Sequence, residues 1–138
     1  MIKHNKIPTD ISARLNLLEP LLSGDERVIF AYIFGGLASG EQRPLSDVDI
    51  AIYLDSYTDK ADAKLEIIGA LSELLKTDEI DLVILNDAST SLVGRILKKK
   101  RLIVDKHPFL RHSFESLAFR EFFDFSRMEK DILFRRYA

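Results

Sequence analysis

From residue 11 onward the chain alternates between two hydrophobic periods. Ile11, Leu15, Leu18 and Leu22 recur at helical spacing and run into Ser23-Gly24-Asp25-Glu26, which predicts a helix over Ile11–Leu22 with a turn behind it. Val28–Phe34, VIFAYIF, is a short β-branched and aromatic run halted by Gly35-Gly36, the pattern of a buried strand that ends in a tight loop. Asp47–Leu54, DVDIAIYL, alternates instead, with Val48, Ile50 and Ile52 on one side and Asp47, Asp49 and Ala51 on the other, and so predicts a second strand. After the turn DSYTD, the residues Leu65, Ile68, Leu71, Leu74 and Leu75 form one stripe of a helix over Ala61–Lys76. Ile80–Asp87 reads as a third strand, Ser89–Lys99 as a short helix and Arg101–Asp105 as a fourth strand. Pro108 opens a helical tail, in the first turn, where its missing N–H costs little.

This alternation predicts an α/β (α+β) fold, a sheet covered by helices. We expect one domain in two parts: a core over residues 1–107 and a helical tail over 108–138 that packs on the core or projects from it. A continuous helix from Pro108 to Arg136 would be ~44 Å long at 1.5 Å per residue, whereas a compact globule of this size is about 37 Å across. The tail must therefore bend or protrude. Seven of the nine phenylalanines of the chain lie in it, so a protruding tail would offer an apolar surface to a partner or to a second copy.

Charge and composition narrow the chemistry. The 138 residues carry 20 Lys+Arg against 22 Asp+Glu, a balance that argues against a domain built to wrap nucleic acid but leaves room for a local phosphate site. The absence of cysteine excludes thiolate metal sites, a cysteine nucleophile and disulfides, and fits a reducing compartment. The strongly apolar stretch Val28–Phe34 falls far short of the ~20 residues of a membrane-spanning helix. The first thirty residues hold no basic segment followed by an unbroken apolar one, so a cytoplasmic protein is expected. The basic run Lys98–Arg101 falls where a helix should end and suits the helix dipole. His4, His107 and His112 lack the i, i+4 spacing of a helical metal site and read as surface residues.

The chemistry concentrates between Phe34 and Leu54. Asp47 and Asp49 are two apart on a strand, so both carboxylates project from one face with Cα atoms ~6.8 Å apart. Carboxylates paired in this way call for a cation, and Mg²⁺ is usually held by one or two carboxylates together with substrate phosphates. Gly35-Gly36 lets backbone amides approach an anion with no Cβ in the way. Neither the dinucleotide-binding glycine pattern nor the P-loop pattern occurs.

Gly35-Gly36, the ten residues Leu37–Ser46 and then Asp47-Val48-Asp49 resemble the signature of the minimal nucleotidyltransferases of the DNA polymerase β-like superfamily. That signature is Gly-Ser, ten residues and Asp-any-Asp, with a third acid on a later strand, where Asp81 stands here. Ala38, Gly40 and Ser46 in the loop are similar to the family, as is the tail FREFFDFSRMEKDILFRRY to the closing helix of its small stand-alone members. The resemblance implies the polymerase β-like fold, a small mixed sheet flanked by helices with a long C-terminal helix. It implies that Asp47, Asp49 and Asp81 bind two Mg²⁺ ions and are catalytic, and that Gly35, Gly36 and Ser46 bind the nucleotide. ATP would be the donor, with in-line attack of an acceptor hydroxyl on the α-phosphorus and departure of pyrophosphate. Small members of the family are often the antitoxin half of a HEPN/MNT toxin–antitoxin pair and adenylylate a tyrosine of the HEPN partner. One position departs from the pattern: the family serine is Gly36. A lost charge-assisted hydrogen bond is worth ~1.5–3 kcal/mol, which raises a second reading, a weakly active or inactive module that neutralises a partner by binding it.

Overall fold

The structure, a computed structural model, describes residues 15–35 and 48–137, with side chains as far as Ile132. Among the described residues it holds four α-helices and four strands: α1 (Leu18–Ser23), β1 (Val28–Phe34), β2 (Val48–Leu54), α2 (Lys60–Leu75), β3 (Ile80–Ile84), α3 (Thr90–Lys98), β4 (Lys100–Asp105) and α4 (Pro108–Tyr137). The predicted mixed sheet with covering helices is the observed architecture. Residues 11–14 of the expected first helix lie outside the described residues.

The sheet order is β3-β2-β1-β4. β1 is antiparallel to both β2 and β4, while β2 and β3 run parallel. A parallel pair cannot be closed by a tight turn and needs a crossover, which α2 supplies. β1 and β2 are the central strands, covered on both faces, which is why VIFAYIF and VDIAIYL are almost uninterrupted apolar runs. Val48, Ile50, Ile52 and Leu54 join α1 and α2 in one core layer. Ala51 and Tyr53 join Phe30, Tyr32 and α3 in the other.

Local signals fix the ends of the crossover helix. Asp59 caps α2 by accepting the Asp62 N–H at 3.1 Å, and Lys76 ends it in the left-handed conformation with φ 56°. The buried stripe is Ala63, Ile67, Leu71 and Leu75, flanked by Ile68 and Leu74. Leu65, expected on that stripe, is instead 72% exposed. With 3.6 residues per turn it stands roughly 140° round the helix from the middle of the i, i+4 row, so it cannot reach the sheet.

The third strand is shorter than expected. It ends at Ile84, and Leu85–Asp87 form a 3₁₀ turn. The Asn86 side chain replaces the missing rung: its amide oxygen accepts the Leu54 N–H at 2.9 Å and its NH₂ donates to the Leu54 carbonyl at 2.8 Å. Satisfying the end of β2 this way frees the chain to turn into α3, whose first turn is capped by Ser89. β4 begins one residue before the expected Arg101.

The tail is one continuous helix of 30 residues, about 45 Å long. His107, read from sequence as a plain surface residue, accepts the Leu110 N–H through Nδ1 at 3.1 Å and so caps the first turn. The first half of α4 is fastened to the sheet by aromatic packing and a polar cluster. Phe114 lies against Phe30 and Tyr53, with ring centroids 5.6 and 5.2 Å away. The hydroxyl of the fully buried Tyr32 donates to Glu115 at 2.5 Å. Glu115 also accepts from Arg111 at 3.1 Å and pairs with Lys100 at 3.4 Å, while Arg111 pairs with Asp105 at 3.0 Å. Further along, Phe122 sits directly on Gly94 of α3, in space that a Cβ would occupy. From Phe123 to Ile132 every side chain but Ser126 is exposed, including Phe123 (60%), Met128 (60%) and Ile132 (57%). The second half of the tail therefore protrudes, as its length requires. No helix among the described residues is long and apolar enough to cross a membrane.

Two expectations follow. Gly94→Ala should destabilise the fold, although alanine is the better helix former by about 1 kcal/mol, because Phe122 must leave its seat. Urea unfolding should show a lower midpoint, and restoring space with Gly94→Ala/Phe122→Ala should give less loss than the sum of the single changes.

The Glu115 cluster makes stability depend on pH. Burial opposes ionisation of Glu115, but the Tyr32 hydrogen bond and the charges of Lys100 and Arg111 outweigh it and hold the carboxyl below its ordinary 4.5. Its contribution is thus complete above pH 4.5 and is lost as the pH falls through the lower folded value. Glu115→Gln should cost about 1.5–3 kcal/mol at pH 7, and the gap from wild type should narrow as the pH is lowered below 4.5 in a urea series.

Candidate functional site

The two described acids of the expected trio, Asp49 and Asp81, are register partners across the parallel β2–β3 pair. Partners on adjacent strands point to the same face with their chains about 4.8 Å apart. Alternation places both on the face that carries Ala51 and Val83, the α3 and α4 side of the sheet. The same rung continues through Phe34, the partner of Asp49, to Lys100, the partner of Phe34. One row thus crosses all four strands: Lys100, Phe34, Asp49, Asp81. Asp49 is partly buried and Asp81 is exposed, so the acidic end of the row opens to solvent. The Lys100 ammonium, at the other end, is turned to Glu115 and lies 5.3 Å from the centre of the Tyr32 ring.

Gly35 follows β1 directly, beside this row. Its φ is +72°, a conformation that residues with a Cβ adopt only at a cost of roughly 1–2 kcal/mol. A Cβ there would stand 2.5 Å from the Oδ2 of Asp49. The glycine is therefore required twice, for the turn and for the space above the carboxylate. Strand end, bare turn and carboxylate are packed into one place.

Beyond Asp81 the surface is concave. A groove of about 400 Å³ is lined by Asp81 to Ile84, by Lys60, Ala61 and Lys64 of α2, and by Asp87, Ala88 and Leu92 on the side of the 3₁₀ turn and α3. The i, i+4 spacing of Lys60 and Lys64 was the only sequence signal for this groove, and it gains meaning only once α2 is laid beside β3. The Phe34–Lys100 extension of the row had no signal in the sequence at all, because register is a property of strand pairing.

Gly36, Ser46 and Asp47 lie outside the described residues. Among the described residues no group of three or more His, Cys, Asp or Glu is gathered as for a metal ion. The described part of the site suits a hard cation in its donor chemistry: Asp49 and Asp81, on paired strands, carry carboxylate oxygens of the kind such an ion takes.

Comparison with known proteins is consistent with this arrangement. The family described as polymerase beta, nucleotidyltransferase, matches residues 16–109. No curated protein matches the chain. Among solved structures the chain is similar to one of a toxin–antitoxin crystallised with AMP-PNP, at 22% identity over 91% of this chain and 98% of that one, with a TM-score of 0.71. It is also similar to a chain of the tri-AMPylated Shewanella oneidensis HEPN toxin in complex with MNT antitoxin, at 20% identity over 92% and 98% of the two chains and a TM-score of 0.69. A third likeness is to the toxin–antitoxin MntA-HepT, at 22% identity over 92% and 99% of the chains and a TM-score of 0.68. At these identities the likeness is one of fold.

If Gly35 and Asp49 share one space, their substitutions must be coupled. Gly35→Ala should lower stability by about 1–2 kcal/mol, read as a shift in urea midpoint. Asp49→Ala in the same chain should recover the part due to the clash and leave the part due to the turn. Strict additivity would show that the two residues do not touch.

Proposed function

The chain belongs to the polymerase β nucleotidyltransferase family, and from that membership we propose that it moves AMP from ATP to a hydroxyl, a tyrosine, of a HEPN-type partner protein and thereby acts as its antitoxin in the cytoplasm. The observation that carries the proposal is the pairing of Asp49 with Asp81 across β2 and β3, with the Gly35 turn packed against the Asp49 carboxylate. The core over residues 1–107 would hold the chemistry and the tail the partner contacts.

In this reading Asp47, Asp49 and Asp81 hold two Mg²⁺ ions, which when bound neutralise the triphosphate and favour ionisation of the attacking hydroxyl. The chain's own contribution is placement. Gly35 and Gly36, with Ser46, would seat the triphosphate through their backbone amides. The rung geometry then fixes Asp49 beside Asp81, so that the α-phosphorus and the acceptor oxygen meet in line. Asp81, the exposed member of the row, receives the acceptor side and takes up the hydroxyl proton or orients its loss to water. The fold likeness to chains from toxin–antitoxin complexes, one crystallised with AMP-PNP and one holding a tri-AMPylated HEPN toxin with its MNT antitoxin, supports the choice of ATP and of a HEPN partner.

A second reading has its own support. Gly36 stands where the family has serine, and the protruding half of α4 bears Phe123, Phe125, Met128 and Ile132 in the open. Such a chain could neutralise a partner, or pair with a second copy, through the apolar tail alone.

Label transfer separates the two. Incubation with a HEPN partner, Mg²⁺ and α-labelled ATP should label the partner, and Asp49→Asn/Asp81→Asn should reduce labelling by at least a hundredfold while leaving the complex intact. Omission of Mg²⁺ should do the same. Partner inhibition that persists in the double variant, with no label moved by the wild type, would establish the binding-only reading.

A further inference from the structure

The groove beside Asp81 follows the outer edge of β3. Among the described residues β3 has β2 as its one neighbour in the sheet. In the parallel ladder the Val48 N–H bonds the Glu79 carbonyl at 2.8 Å. That phase directs the backbone groups of Asp81 and Val83 toward β2 and those of Leu82 and Ile84 outward. The outward groups repeat about every 6.6 Å, two residues of strand, and face the groove. Asp81 belongs both to this groove and to the carboxylate row, so the two are continuous. Since α2 leaves the end of β2 and leads back to the start of β3, Lys60 and Lys64 lie toward the Ile84 end, one turn apart on the same helix face. Among the described residues neither lysine is in an ion pair.

We propose that this edge docks the acceptor: an extended polypeptide segment adds to β3 as a further strand, with its hydroxyl residue at Asp81 and an acidic side chain two or three residues away at Lys60 and Lys64. The inference rests on the nucleotidyl-transfer reading and names its substrate class. A row of unpaired N–H and C=O groups is matched by another extended backbone. Asp81 and Ile84 are about 10 Å apart along the strand, which sets the two- to three-residue interval. Charge supplies the selectivity: β3 is only five residues long, and the two lysines stand together on the α2 side of the groove while Asp87 lines it from the 3₁₀ turn, so an acidic side chain gains by lying against α2. In the transfer, the acceptor hydroxyl oxygen bonds to the α-phosphorus and the bond from that phosphorus to the bridging oxygen breaks. Pyrophosphate leaves, and the hydroxyl proton passes by way of Asp81 to water.

Two random copolymers, one of Glu and Tyr and one of Lys and Tyr, serve as acceptor probes for the full-length protein. Wild type should bind the Glu–Tyr copolymer at least tenfold more tightly than the Lys–Tyr copolymer, measured by fluorescence anisotropy in the presence of Mg²⁺ and AMP-PNP. The charge-reversed variant Lys60→Glu/Lys64→Glu, altered at two surface positions, should invert that preference and keep its affinity for AMP-PNP. On binding, the Leu82 and Ile84 amides should exchange with solvent at least tenfold more slowly. Unchanged copolymer preference in the variant overturns the dock, as does unchanged exchange at Leu82 and Ile84. A parallel loss of AMP-PNP affinity also overturns it, because the lysines would then serve the nucleotide. Label transfer to the copolymers is scored separately: binding that follows the lysines without any transfer would count against the enzyme reading and not against the edge as a binding surface.

Discussion

The parallel register of β2 with β3 is the constraint on which the arrangement turns. It sets Asp49 against Asp81 and, through β1 and β4, lines up Phe34 and Lys100 with them. A slip of one residue would put one carboxylate of the pair into the apolar layer that holds Ile50 and Leu82, where an unpaired charge costs several kcal/mol. The buried faces therefore enforce the register, and the register brings the acids together. Two like charges side by side work slightly against the sheet. Keeping them there accords with the proposed nucleotide site, where metal ions would offset that repulsion.

The same sheet face also receives the long helix. Glu115 and Arg111 of α4 meet Tyr32, Lys100 and Asp105 in a cluster whose members satisfy one another largely out of water. Burial, and then the Glu115 contact, push the Tyr32 hydroxyl well above its ordinary value and keep it a donor at any physiological pH. Phe122 on Gly94 fixes α4 against α3 at the next contact point. With its first half held so firmly, the second half cannot fold back on the core and is carried outward with its apolar residues exposed. A tail of this kind suits a protein that meets another protein.

Much of this was legible in the sequence. The strands, the crossover helix and the Gly35 turn follow from periodicity and from two glycines after an apolar run, and the fold and family suggested by the Gly-Gly, ten-residue, Asp-Val-Asp spacing agree with the family match and the solved structures. Leu65 was misplaced because five leucines and isoleucines spread over more than one face, and burial alone decides which row counts. The early end of β3 depends on Asn86 reaching a backbone 32 residues away. Gly94 and Glu115 look like ordinary helix residues until their long-range partners, Phe122 and Tyr32, are in place. Contacts of that range leave no periodic trace.

In the proposed function the Asp49–Asp81 pair, with Gly35 beside it, receives a metal-bound triphosphate. Titration of Mn²⁺–ATP into ¹⁵N-labelled protein tests it without requiring turnover. The amide signals of Gly35, Asp49 and Asp81 should broaden first, at sub-stoichiometric metal, ahead of those at the Ile84 end of β3 and of α4. Broadening that begins elsewhere, or that spreads evenly over exposed acids, would rule out a triphosphate site at this pair.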